Sequence, residues 1–390
     1  MEVHPFGGEL RAKIAAMLLR AACGGVLVCI LVAGLWPFHA PRNDVNWLRQ
    51  GDGLLLRKYG SVVSAAPFRA NLVGDESCSL EIWQQSLRAH SSGTILAFYQ
   101  AESGVTAFSL RQSLGDLTLQ RANKQDSGSA KRGKIYIDDV LSDPKPVLIT
   151  ISAGRSGTTV FADGTIVKKV PHFKLSIQNL TGQLVVGNSP VTTDDWSGQL
   201  KGLAIYDREL TAAEVSQHFV LWRNNAQPDL AKGIGAAALY VFNEGRGSVV
   251  HNQIDSGTDL LIPERFFVLH AQFLERPWDE FRPDWNYCKD VAINVGGFIP
   301  LGFFFYPYFL LLRRSEHPAT VTIVLGFVVS LTIEVLQAFL PTRDSGMTDL
   351  ITNTLGTAVG VMVFRHRAVQ SGFSAMGLCQ NDAVETTKIL

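Results

Sequence analysis

Eight polar side chains interrupt an apolar background near the C-terminal end of the chain: Asp290, Asn294, Ser330, Glu334, Gln337, Arg343, Asp349 and Asn353. Ser330, Glu334 and Gln337 are spaced by four and three, so on a helix they share one face. Asp290-Val-Ala-Ile-Asn294-Val-Gly-Gly297 and Asp349-Leu-Ile-Thr-Asn353-Thr-Leu-Gly356 repeat one pattern, D-x-x-x-N-x-x-G. An Asp at a helix start is favoured by the helix dipole. An Asn one turn deeper can bond across to another helix, and Gly297, Gly356 and Gly360 permit close backbone approach. A carboxylate in the middle of a membrane helix costs about 2.5–3.5 kcal/mol, so these groups must face protein or a ligand, not lipid. Three kinds of chemistry suit them. They can bind a polar head group. They can catalyse, with Glu334 as general base and Arg343 on a phosphate. Or they can only hold helices together, at about 0.6 kcal/mol per interhelical bond.

Those residues need elements to position them. The chain has 390 residues, zero formal net charge, 46% hydrophobic residues and 18% charged residues. The charged fraction is below the soluble norm of about 25%, which suits a chain partly in lipid and partly in water. A balanced charge with no basic stripe excludes a nucleic-acid partner. Crossing a bilayer takes about 20 mainly apolar residues. Four segments qualify: residues 14–36, 291–312, 319–340 and 347–364. Arg11, Lys13 and Arg20, then Arg313 and Arg314, then Arg365 and Arg367 fall on one side if residues 1–13 are cytosolic. By the positive-inside rule both termini are then cytosolic and the long segment after the first helix is exported. The first segment also reads as a cleaved leader with Val32-Ala33-Gly34 at its end, which exports the same residues. Trp36-Pro37-Phe38 reads as an interfacial anchor. The tail, 365–390, is polar and reads as loose. Cys23, Cys29, Cys78, Cys288 and Cys379 form no C-x-x-C, which argues against zinc and redox motifs.

Between the first and second helices the pattern changes. From 60 to 222, short β-prone runs such as Ser79–Trp83, Ile95–Tyr99, Val147–Ile151 and Gln183–Gly187 alternate with Gly, Asp, Ser and Pro clusters. Such spacing predicts an all-β sandwich or barrel. Asp163-Gly164 between two such runs predicts a tight hairpin. Thr211 followed by Glu214 predicts a capping box at a helix start. Residues 223–289 read as a β-hairpin segment and a linker through Phe281, Pro283 and Trp285; the stretch 238–263 either completes the sandwich or forms a separate hairpin.

Leu184–Phe219, with Trp196, Gly198, Leu200, Gly202, Leu203, Ile205 and Tyr206 in a W-x-G-x-L-x-G-L-x-I-Y run, resembles the closing strands of laminin-G / concanavalin A-like jelly rolls. The resemblance implies glycan or protein binding, with Asp194, Asp195 and Trp196 as candidate glycan or calcium residues. No E-x-D-x-x-E strand accompanies it, which argues against glycan hydrolysis. Asp290–Phe303 and Ser330–Gly360 resemble the VanZ-like family of small bacterial membrane proteins. The positions that carry this are Asp290, Asn294, Phe298, Pro300, Gly302, Ser330, Glu334, Gln337, Pro341, Arg343, Asp349, Asn353, Gly356 and Gly360. That family is named for a protein linked to glycopeptide resistance. Its simple members have a short connection where this chain carries the β domain, so the resistance role does not carry over automatically.

The expected fold is therefore mixed: a four-helix transmembrane bundle, with residues 290–364 as its VanZ-like part, plus a jelly-roll sandwich in the first extracytoplasmic loop. The expected function is binding in the bacterial cell envelope. The sandwich would take a glycan or protein, and the polar layer would take a membrane lipid or lipid-linked envelope precursor. Calcium in the sandwich is the only cofactor the resemblance suggests. An enzyme acting on a lipid-linked saccharide and a scaffold subunit of an envelope assembly are the alternatives, and no nucleophile, metal set or phosphate loop supports the enzyme.

Overall fold

The computed structural model describes residues 6–69, 77–122, 133–224, 235–254, 257–271, 273–281, 285–343 and 345–375. Pro283, Cys379 and the tail beyond 375 lie outside them. The chain forms two compact units, Met1–His39 with Ala271–Leu390, and Ala40–His270.

The second unit is a two-sheet antiparallel sandwich. Its early strands are β1 (Val45–Trp47), β2 (Leu54–Leu56), β3 (Val62–Ser64), β4 (Cys78–Ser86), β5 (Ser92–Gln100), β6 (Val105–Ser113), β7 (Asp116–Arg121) and β8 (Gly133–Ile137). Then come β9 (Val147–Gly154), β10 (Gly157–Ala162), β11 (Thr165–Val170), β12 (Gln183–Val186), β13 (Gly198–Tyr206), β14 (Ala236–Tyr240), β15 (Val249–Val250) and β16 (Leu260–Leu261). One sheet runs β1-β2-β13-β4-β9-β10-β11, with β14 also on β13; the other runs β15-β16-β3-β12-β5-β6-β7-β8. The stretch 238–263 thus adds strands to both sheets of the sandwich and is no separate hairpin. Alternating apolar residues of the facing strands meet in one core around Leu54, Phe98, Phe108, Leu203 and Trp196. Asp163-Gly164 makes the β10–β11 turn with φ of 49° and 77°, the positive values a two-residue hairpin needs. Helix α1 (Phe6–Leu35) precedes the sandwich in sequence. Helix α2 (Ala212–Arg223) starts in a capping box: Glu214 N–H donates to Thr211 Oγ1 at 3.3 Å, and Thr211 N–H donates to Glu214 Oε2 at 2.8 Å. It covers a second apolar layer that includes Leu148, Tyr206, Val215 and Trp222. The four described cysteines are free thiols, with Cys78 buried.

The other unit contains α1, α3 (Trp285–Pro307), α4 (Pro318–Gln337) and α5 (Met347–Arg365). All four are long and apolar enough to cross a membrane. A π-helical turn, Tyr308–Leu312, prolongs α3. A Cβ at Gly356 would stand 2.2 Å from the Val295 carbonyl oxygen, and one at Gly360 would stand 2.1 Å from that of Ile299, so α3 and α5 touch backbone to backbone. The expected third glycine, Gly297, does not take part: nothing lies within 4 Å of its Cβ position. Gly302 fills that role against the Thr357 carbonyl.

Three expectations are corrected. Helix α3 already runs from Trp285, so Asp290 lies beyond its first turn and not at the helix start, unlike Asp349 in α5. Helix α4 stops at Gln337, not Leu340. The N–H groups of Phe339 and Leu340 bond carbonyls three residues back, and a residue before proline disfavours helical backbone. Glu334 is therefore only about 4.5 Å from its helix end. The tail is not loose throughout, because Arg367–Ala375 forms a further helix, α6.

Candidate functional site: a polar cavity at one end of the helices

Seven of the eight polar residues line one cavity of about 720 Å³: Asp290, Asn294, Glu334, Gln337, Arg343, Asp349 and Asn353. Topology explains the gathering. The first halves of α3 and α5, the end of α4 and the turn that follows α4 supply these positions, so one end of the helical unit carries the polar groups. Arg313, Arg314 and Arg365 belong to the opposite ends of those helices or to the turn that follows them, Lys13 to the first half of α1 and Arg20 to its middle. Ile30, Gly297, Phe298 and Ile333 make apolar wall.

The repeated motif forms two cross-helix bonds. Asn294 Nδ2 of α3 donates to Asp349 Oδ1 of α5 at 2.7 Å. Asn353 Nδ2 of α5 meets Ser330 Oγ of α4 at 3.0 Å. Ser330, fully buried, stands behind the cavity. Glu334, 1% exposed, accepts the backbone N–H of Gly346 at 2.9 Å. Gly346 is the N-cap residue of α5, so the carboxylate meets the positive end of that helix. Gln337 Nε2 donates to the Gly34 carbonyl of α1 at 2.8 Å. Arg343 donates to the Trp36 carbonyl. Among the described residues Arg343 forms no ion pair with an acid. Asp290 is exposed.

The sequence did not reveal the share of α1, whose Cys29, Ile30, Ala33 and Gly34 line the cavity. Backbone carbonyls at its end carry no side-chain signature. Three buried oxygens on the wall, Gln337 Oε1, Asn353 Oδ1 and Thr342 Oγ1, have no hydrogen-bond partner. Leaving such an atom unpaired costs about 1–3 kcal/mol.

In the sandwich, the three singled-out residues are engaged internally. Arg111 clasps Asp194 through two bonds of 2.8 and 2.9 Å, and Thr94 Oγ1 adds a third of 2.6 Å. The hydrogen bond to Asp194 raises the Arg111 pKa. Asp195 accepts Tyr59 N–H at 2.7 Å and Asn188 Nδ2 at 2.8 Å. Trp196 is 1% exposed and donates to Gln112 Oε1 at 2.9 Å, so it offers no face for a sugar to stack on. No group of three or more His, Cys, Asp or Glu among the described residues could hold a metal ion.

A separate groove of about 960 Å³ is lined by Gln100, Arg121, Arg155, Lys174, Gln178 and Asn179, among others, with no carboxylate among the described residues of its lining. Beneath α2, the wholly buried Glu81 accepts from Tyr206 Oη at 3.2 Å and Trp222 Nε1 at 3.0 Å, with His218 Nδ1 at 3.0 Å. Burial first, then the Glu81 carboxylate, pushes the Tyr206 phenol far above its usual pKa. Strand alternation made Glu81 look solvent-facing; the signal was the i, i+4 pair His218 and Trp222 on the covering helix.

Residues 234–369 match the VanZ/LLP1 family model, and residues 59–216 match that of the concanavalin A-like lectin/glucanases superfamily. The chain therefore joins a VanZ-like region to a concanavalin A-like domain. Similar solved structures include the botulinum neurotoxin type G receptor-binding domain, at 17% identity and TM-score 0.35 over 46% of this chain and 45% of that one. Another is the botulinum neurotoxin serotype D ligand-binding domain in complex with N-acetylneuraminic acid, at 15% identity and TM-score 0.35 over 47% and 45%. The chain spans under half the length of either. No curated protein matches it.

Proposed function

We propose that this VanZ-like membrane protein is a binding protein of the bacterial cell envelope. Its helices hold the polar head of a lipid or lipid-linked envelope component, and its concanavalin A-like domain binds a glycan or a protein partner. One observation carries the first half: three apolar helices and the α4–α5 turn converge seven polar side chains on one cavity, leaving three oxygens on its wall unpartnered. Gluing helices explains the Asn294–Asp349 and Asn353–Ser330 bonds. It does not explain an exposed Asp290 or unpaired oxygens.

The orientation follows the basic residues, with both termini cytosolic, the sandwich outside and the cavity at the outer face. In the sandwich, the basic groove of Arg121, Arg155 and Lys174 is the better glycan candidate, because Asp194 and Asp195 are held by protein partners and Trp196 is in the core. The unsettled resistance role enters only as a phenotype to score.

The test is Asp290→Asn and Asp349→Asn, each scored for membrane-inserted amount, thermal unfolding in detergent, and host survival under glycopeptide and other envelope stress. The reading expects normal insertion and stability with a lost phenotype for Asp290→Asn. Collapse of both variants would reduce the cavity to glue, and the search would move to the sandwich.

A further inference from the structure

The charge and hydrogen-bond character of the cavity specify what it takes. Among the described residues its lining carries three carboxylates, Asp290, Glu334 and Asp349, against one guanidinium, Arg343. Of the three unpartnered buried atoms on its wall, Thr342 Oγ1 can donate or accept, while the other two are assigned as acceptors on residues more than nine-tenths buried, Gln337 at 7% and Asn353 at 5% exposure. The Gln337 amide has a fixed sense: its NH₂ faces a carbonyl, so its free atom must be oxygen. A site rich in acceptors and negative charge asks for a ligand that donates hydrogen bonds and carries positive charge. A bare phosphate meets the opposite conditions.

Deepening the reading of the cavity as a head-group site, we propose that it binds the primary ammonium of an amphiphile, with the acids and the Gln337 oxygen taking the N–H donors. Arg343, at the rim, is free to take a phosphate on the same head. A zwitterionic aminophospholipid and a simple cationic amphiphile share this ammonium, and Arg343 distinguishes them.

Cys29 supplies the readout, since it lines the cavity and is exposed, whereas Cys23 and Cys78 are buried. In the full chain with Cys288→Ser and Cys379→Ser, the rate of maleimide labelling at Cys29 is followed in detergent. The probes are decylamine, dihexanoyl-phosphatidylethanolamine and dihexanoyl-phosphatidylglycerol. The first two should slow labelling and the third should not. Asp290→Asn and Gln337→Leu should each raise the half-protecting amine concentration by about tenfold, the loss expected for a charge-assisted hydrogen bond. Arg343→Ala should weaken phosphatidylethanolamine and spare decylamine. Asp290 holds no other helix, so its variant keeps the test decisive if Gln337→Leu fails to fold. Protection by phosphatidylglycerol without protection by decylamine would overturn the ammonium while keeping a head-group site. Unchanged labelling with all three probes would overturn both.

Discussion

The Glu334 carboxylate of α4 accepts the backbone N–H of Gly346, the N-cap residue of α5, at 2.9 Å. A buried acid is thus balanced by the start of a neighbouring helix, not by the nearest arginine. Glycine has no side chain to cap its own helix, and Glu334 serves from the adjacent helix. Glu334→Gln retains an acceptor and should keep most of the stability. Glu334→Leu removes it and should lose about 1–3 kcal/mol. Thermal unfolding of the two variants in one detergent checks the difference; equal losses would mean the bond carries little.

Glycine positions on the same helices separate contact from open space. Gly356→Leu drives a side chain into the Val295 carbonyl and should abolish the folded helical unit. Gly297→Ala meets nothing within 4 Å and should fold normally. Expression and size-exclusion behaviour of both variants report the result.

Calcium should not stabilise the sandwich through Asp194 and Asp195, whose carboxylates are already engaged by Arg111, Thr94, Tyr59 and Asn188. Chelator and millimolar calcium should leave the Tm unchanged. Asp194→Ala should lower it by stranding the half-buried Arg111. A Tm that rises with calcium would show that these acids are ligands after all.

Acid should weaken the start of α2. The Arg208 hydrogen bond holds Glu214 down to about 2, with the capping bonds to Thr211 assisting. A carboxylate depressed in the folded state contributes stability that is full above its unfolded value near 4.3 and is lost as pH falls through that value towards about 2. The group is largely solvated, so the effect is modest. Glu214→Gln should flatten this acid limb in a Tm–pH series, lowering the Tm slightly at neutral pH and leaving it nearly unchanged near pH 2.

The readable parts of this chain were those set by spacing. D-x-x-x-N placed Asn294 and Asn353 on faces that meet other helices, and Thr211 with Glu214 announced a capping box. The W-x-G-x-L run marked β13, with Trp196 in the core. What escaped was set by contacts distant in sequence. Arg343 chose a backbone carbonyl over an acid, α4 ended early before Pro341, and Gly302 replaced Gly297 where α3 meets α5. Glu81 was missed because a strand cannot announce which of its faces a later helix will cover.

The central claim is that the cavity holds an amphiphile's head. The full chain, extracted in mild detergent and exchanged extensively, should retain about one amphiphile per chain by mass spectrometry of the intact complex, because a largely buried head group leaves slowly. That amphiphile should be lost from Asp290→Asn and Gln337→Leu while both remain folded. Folded wild-type protein without a stoichiometric amphiphile, or variants that retain it undiminished, would contradict the account.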